Sequence, residues 1–252
     1  MRIVFQWLGS VIFTFWMFAS VAVWSVVLVI AAPLPHRFRF SIAQAWIRMI
    51  MASLRILCGL DYRVIGRENI PDEASVYLLK HSSAFETLAE LIIFPRQTWV
   101  LKRELKWIPI FGWALSQLKP IAINRSGGRN AVKQVIALGQ ERLDEGINVM
   151  IFPEGTRVRH GDTRRYGVSG AALAAASGRR IVPVAHNAGA FWPRRGIMKH
   201  PGTVTFVVGE PIEVGDRDLK VVNAEIQAWV EAEIVKMGGR SAEAAARAAS
   251  VS

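Results

Sequence analysis

The chain has 252 residues, a formal charge of +11 and 52% apolar side chains, a larger apolar share than soluble domains usually carry. That length holds one catalytic domain plus a small appendage. A single cysteine, Cys58, excludes an internal disulfide and a cysteine-built zinc cluster and fits a reducing compartment. A basic balance often signals nucleic acid, but no RNA- or DNA-binding motif is present.

The apolar excess is local. No charged residue occurs from Ile3 to Pro35. A hydrocarbon core about 30 Å thick takes roughly 20 helical residues, so residues 1–35 read as a membrane-anchoring helix. A cleaved signal peptide fits less well: the run outlasts an h-region, and Ala31-Ala32-Pro33 makes a poor cleavage site. Arg37, Arg39, Arg48 and Arg55 come next, ahead of the first acid, Asp61, while only Arg2 precedes the run. The positive-inside bias places the chain beyond this run on the cytoplasmic face, implying the inner membrane. Anionic lipid headgroups then account for the charge, at about 1 kcal/mol per basic residue near the surface.

Residues 36–60 read as an amphipathic interfacial helix. Ala43, Ile47, Ile50, Leu54 and Leu57 share one side, with Arg37, Gln44, Arg48 and Arg55 on the other. Periodicity leaves open whether the apolar side meets a membrane interface or the core of the domain. Residues 61–237 alternate. Strands are predicted at Tyr62–Ile65, Val76–Leu79, Trp99–Leu101, Ile121–Ile123, Val149–Phe152, Ile181–Ala185 and Val204–Val208. Helices are predicted at Phe85–Ile93, Arg129–Leu143, Gly170–Ala176 and Leu219–Met237. Such alternation implies an α/β fold, a mainly parallel sheet flanked by helices. Residues 238–252 read as a flexible, Ala/Ser-rich tail.

Three motifs fall just past predicted strands, where open parallel sheets collect their ligand-binding loops. The first is Lys80-His-Ser-Ser-Ala-Phe-Glu86. Ser83 and Glu86 have capping-box spacing, so Glu86 reads as a helix cap. The same side chain points back toward His81. It could fix the imidazole tautomer and leave the other nitrogen free to take a proton. The second motif is Phe152-Pro-Glu-Gly-Thr-Arg157, a turn presenting Glu154 and Arg157. A guanidinium fork matches phosphate oxygens, although a structural turn with a local ion pair fits too. The third is Ile121-Ala-Ile-Asn-Arg-Ser-Gly-Gly-Arg129, where amides at a helix start attract anions. It has no P-loop pattern.

These blocks resemble the glycerolipid acyltransferases, in particular the bacterial 1-acyl-sn-glycerol-3-phosphate (lysophosphatidic acid) acyltransferases. The family's His-x4-Asp is read here as His81-x4-Glu86, and its Phe-Pro-Glu-Gly-Thr-Arg is matched without change by Phe152–Arg157. Ile121–Arg125 matches the second block, with Lys119 where a glycine usually opens it, and Ile181-Val-Pro-Val184 matches the fourth loosely. Lys102-Arg-Glu-Leu105, with Pro109 and Gly112, resembles the segment between the first two blocks. Near Tyr166 the family often has Lys-x-Gly-Gly, where this chain has Gly167-Val-Ser-Gly170. The likeness covers roughly residues 60–215.

The resemblance implies transfer of a fatty acyl group from acyl-coenzyme A or acyl carrier protein to the sn-2 hydroxyl of a lysophosphatidate. It implies neither metal nor cofactor, and no covalent acyl-enzyme. It makes His81 the general base, oriented by Glu86. It assigns Arg125, Glu154, Gly155, Thr156 and Arg157 to the acceptor's phosphate and glycerol. Rival readings are an acyltransferase acting on another lysolipid, a membrane-anchored serine hydrolase using Ser169, and a non-catalytic membrane-surface protein.

Overall fold

The structure is a computed structural model that describes residues 2–124 and 127–238. The candidate arginine Arg125 and the expected tail from residue 239 onward lie outside the described residues.

Two long helices come first, α1 (Arg2–Ile30) and α2 (His36–Cys58). They form an antiparallel hairpin: the Trp16 indole donates to Ser53 at 3.1 Å, and Trp46 donates to Ser20 at 3.1 Å. Both helices are long and apolar enough to cross a membrane. The face of α2 carrying Ala43, Ile47, Ile50 and Leu54 is buried and joins the main core cluster with Tyr77, Phe85 and Phe206. Core packing, one of the two readings open from periodicity, is therefore where that apolar side goes.

Seven strands come after the hairpin: β1 (Leu60–Ile65), β2 (Val76–Leu79), β3 (Gln97–Lys102), β4 (Ile121–Ile123), β5 (Asn148–Ile151), β6 (Ile181–His186) and β7 (Gly202–Val208). They make one sheet in the order β1-β7-β6-β2-β5-β3-β4. All neighbours are parallel except β6 and β7. The remaining helices are α3 (Phe85–Ile93), α4 (Phe111–Ser116), α5 (Arg129–Asp144), α6 (Ser169–Ser177), α7 (Ala188–Phe191) and α8 (Leu219–Met237). The expected mainly parallel sheet flanked by helices is present, with strand ends shifted by a residue or two. Helices α4 and α7, of 6 and 4 residues, are too short to leave a periodic signature.

Every residue of β2 and β5 is buried, as expected for central strands covered on both faces. Alternation decides the side. Tyr77, Leu79 and Met150 join Phe85 and the α2 face in one cluster. Val76, Leu78, Val149 and Ile151 join Val135, Leu173 and Ile226 of α5, α6 and α8 in the other. Register then positions the site. Leu78 of β2 lies beside Ile151 of β5, so the loops starting at Lys80 and Phe152 leave the sheet next to each other.

Candidate active site

His81 lies just past the end of β2 and is fixed from several directions. Its peptide N–H donates to Glu154 Oε2 at 2.7 Å, and its carbonyl accepts from the Val158 amide at 2.7 Å. Its ring stacks on Phe152 with centroids 4.1 Å apart. Nδ1 lies 2.9 Å from Glu86 Oε1. A carboxylate only accepts, so Nδ1 carries the proton and Nε2 presents its lone pair. The imidazole is partly open, with 13% of its side chain exposed.

Glu86 sits in the first turn of α3 with no exposed surface. One oxygen, Oε1, takes the His81 ring together with the amides of Ser82 at 2.9 Å and Ser83 at 2.8 Å. Cap and orienting partner are thus one atom. Ala84, not Ser83, occupies the N-cap position. The Ser83 hydroxyl accepts from the Phe85 amide at 3.1 Å and donates to the Trp192 carbonyl at 2.6 Å. Burial raises the Glu86 carboxyl, but His186, the His81 ring and the Ser83 amide outweigh it and hold the group below its ordinary value. The helix N-terminus favours the same charged form.

Two further groups escaped the sequence reading. His186 ends β6 and is buried behind the pair. Its Nε2 donates to the Lys80 carbonyl at 2.7 Å, and its Nδ1 lies 3.3 Å from the Ala188 amide nitrogen. Burial lowers its pKa, with Glu86 pulling the other way. Lys80 is 2% exposed and bridges Glu154 Oε1 at 2.9 Å and Glu231 Oε1 of α8 at 2.5 Å. It also donates to the Asp162 carbonyl at 3.0 Å. Glu154 is therefore clamped between the Lys80 ammonium and the His81 backbone, with no exposed side-chain surface. Burial raises its carboxyl, and Lys80 opposes that shift. The expected placement of Glu154 against an acceptor's phosphate and glycerol differs from this inward geometry. No local sign of this network is present in the sequence, because Glu231 lies 151 positions from Lys80.

Gly155 turns the second loop with φ of 68°, the left-handed region in which a side chain is strained. Thr156 and Arg157 are half-buried beside it. Two cavities meet at Arg157. One, of about 560 Å³, is apolar; it runs from His81 and Phe152 past Trp99 and Leu115 to Trp24 and Trp46 on the helical hairpin. The other, of about 1150 Å³, is an open bowl of basic residues formed by the loops around 156–164 and 193–195. The third expected loop leaves β4, two strands beyond β5, hence about 10 Å across the sheet. Ser169 opens α6, and among the described residues its hydroxyl makes no hydrogen bond to a histidine, so a serine–histidine pair is not assembled there.

The acyltransferase family model matches residues 61–187, a span holding both loops. The chain is 41% identical to 1-acyl-sn-glycerol-3-phosphate acyltransferase of Pseudomonas aeruginosa over 230 residues, 89% of this chain and 90% of that protein. It is 29% identical over 192 residues to the chloroplastic 1-acyl-sn-glycerol-3-phosphate acyltransferase LPAT1 of Arabidopsis thaliana, covering 74% of this chain and 52% of that one. The crystal structure of the 1-acyl-sn-glycerophosphate (LPA) acyltransferase of Thermotoga maritima shares the fold, with a TM-score of 0.78 at 20% identity over 95% of this chain and 100% of that one. A histidine oriented by a buried carboxylate, placed in a match of this extent, leads to one assignment: the chain belongs to the acyltransferase family.

Proposed function

We propose that the protein transfers a fatty acyl group from an acyl thioester to the sn-2 hydroxyl of 1-acyl-sn-glycerol 3-phosphate, giving phosphatidic acid for phospholipid synthesis. The observation that carries this reading is the position of His81. Its proton-accepting nitrogen belongs to a ring that forms the wall of an apolar cavity at the point where basic side chains begin. A fatty chain fits the apolar side and a phosphate fits beside Arg157, so the hydroxyl and the thioester carbonyl meet between them.

In this reading His81 Nε2 takes the hydroxyl proton as oxygen adds to the carbonyl. The imidazolium is stabilised by Glu86 and returns the proton to the departing thiolate. A positioned base of this kind contributes about 10²–10⁴-fold in rate. Holding both reactants removes the bimolecular entropy cost. Arg157 and Arg125, with the Gly155–Thr156 turn, hold the acceptor phosphate. Glu154 serves that site through the backbone of His81. The donor is acyl-coenzyme A or an acyl carrier protein. The two apolar helices hold the protein at the inner membrane, with the site on the cytoplasmic face among anionic lipids.

The test compares membranes carrying wild type or His81→Ala, supplied with labelled acyl donor and lysophosphatidate. Wild type is expected to form phosphatidic acid, and the variant to lose about 10²-fold or more of that rate. Undiminished synthesis by the variant would remove His81 as the base. Donor hydrolysis abolished by Ser169→Ala would move the reaction to a hydrolase.

A further inference from the structure

The open bowl beside the reaction centre is far more basic than one phosphate monoester requires. Arg157, Arg159, Arg164, Arg194 and Arg195 line it, against a single carboxylate, Asp162. All but Arg157 are exposed. Among the described residues, none of the five guanidinium groups is paired with a carboxylate, although Asp162 shares the wall. The bowl therefore carries an uncompensated positive field, and it meets the apolar cavity at Arg157.

Three occupants suit such a field: the nucleotide end of a coenzyme, a lipid surface or an acidic protein. An adenine ring is held best by stacking on an aromatic side chain, and the lining contains none. A lipid surface is met by protruding apolar groups. Those groups lie elsewhere, with Trp107 68% and Trp113 57% exposed on the segment leading into and through α4. A concave, open basin of about 1150 Å³ rimmed by exposed arginines instead suits a convex acidic protein surface.

We propose that this bowl docks an acidic acyl-carrier protein, so that the thioester arm enters past Arg157 to reach His81. The inference rests on the thioester-dependent reaction proposed above and assigns its donor. Steering by the arginines raises the rate of encounter and is unrelated to the proton transfer at His81. It therefore acts on the KM for the carrier-protein donor and not on turnover.

The experiment uses the full chain in membranes with two donors, acyl-carrier protein and acyl-coenzyme A. The variant is the double charge reversal Arg159→Glu/Arg194→Glu, at exposed positions outside the catalytic machinery. The expected result is a rise of about 10-fold or more in the KM for acyl-carrier protein. Turnover with acyl-coenzyme A, which also reports correct folding, and the KM for lysophosphatidate stay within about 2-fold. An equal rise for both donors would assign the bowl to the coenzyme's phosphates and overturn the proposal. A rise confined to lysophosphatidate would assign it to the acceptor. Lost binding to phosphatidylglycerol vesicles with both donor constants unchanged would assign it to the membrane, and no change at all would leave only surface charge. Wild type that transfers from acyl-coenzyme A but not from the carrier protein defeats this proposal alone. Transfer from neither donor defeats the function on which it rests.

Discussion

Glu86 makes three hydrogen bonds through a single oxygen, so its charge serves both the loop and the histidine. Glu86→Gln keeps the shape but offers an amide that can also donate, which releases the His81 tautomer. The expected result is a fall in kcat of about 10²–10⁴-fold with little change in either KM, and steady-state kinetics check it. Lys80 acts one step further back. Replacing it with Met leaves the Glu154 carboxylate buried and uncompensated, at a cost of about 3–5 kcal/mol. It also loosens the loop that holds His81, so kcat should fall while both KM values stay put. A Lys80→Met enzyme whose KM for acceptor rises at constant kcat would place Lys80 in substrate binding instead.

Glu90 lies one turn after Glu86 on α3, fully buried, with neither oxygen aligned on a donor. Burial and the Glu86 charge push its carboxyl well above the ordinary 4.5, with the Trp99 indole pulling back. Linkage sets the sign. A carboxyl raised in the folded state supports folding fully below its unfolded value and loses that support as pH climbs toward its folded value. Glu90→Gln, neutral at every pH, should therefore raise the unfolding midpoint by several degrees at about pH 8 and leave it unchanged at about pH 4. Thermal unfolding at the two pH values decides it, and equal shifts at both would refute the assignment of a raised carboxyl.

At the scale of elements, the helical hairpin depends on close approach. A Cβ on Gly9 of α1 would lie 2.2 Å from the Leu57 carbonyl oxygen of α2, a backbone atom that cannot rotate away. Lys199 ties α1 to the rest of the fold: its Nζ lies over the rings of Trp192 at 4.6 Å and Phe13 at 5.2 Å and donates to Thr14. Its peptide N–H donates to the Ser10 hydroxyl at 2.9 Å. Burial lowers Lys199 to about 8. Gly9→Val should force the helices apart at a cost of about 1–3 kcal/mol, read as a lower unfolding midpoint in detergent. Val21 and Trp24 of α1 line the apolar cavity, so the same change should weaken use of long acyl donors more than short ones.

At the scale of the whole molecule, the apolar surface is distributed unevenly. Phe5, Phe15, Phe18 and Ile30 of α1 are 69%, 76%, 64% and 73% exposed, and Trp107 and Trp113 extend that character beyond the hairpin. Monomeric soluble domains do not leave such a continuous face to water. If apolar contact dominates over the basic charge, molar salt should leave the protein in the membrane fraction and detergent should release it, because salt screens charge and strengthens apolar burial. Quantitative release by salt alone would assign the attachment to electrostatics.

Much of this was readable residue by residue. The apolar runs announced all seven strands, and the pattern from Leu219 to Met237 set the bounds of α8, because hydrophobic period is a local property of the chain. His81 and Glu86, five positions apart, could be paired for the same reason: a helix start fixes both. What the sequence by itself could not determine was long-range. Central strands such as β2 are apolar throughout, so nothing in Val76–Leu79 tells which side chains face α2 and which face α6. Lys80, Glu154 and Glu231 become one ion network only after the sheet order sets β5 against β2 and α8 across one face. The two cavities are likewise made by elements far apart in the chain. Their shape comes from packing, which depends on which surfaces meet, and that is decided by the lowest free energy of the whole fold.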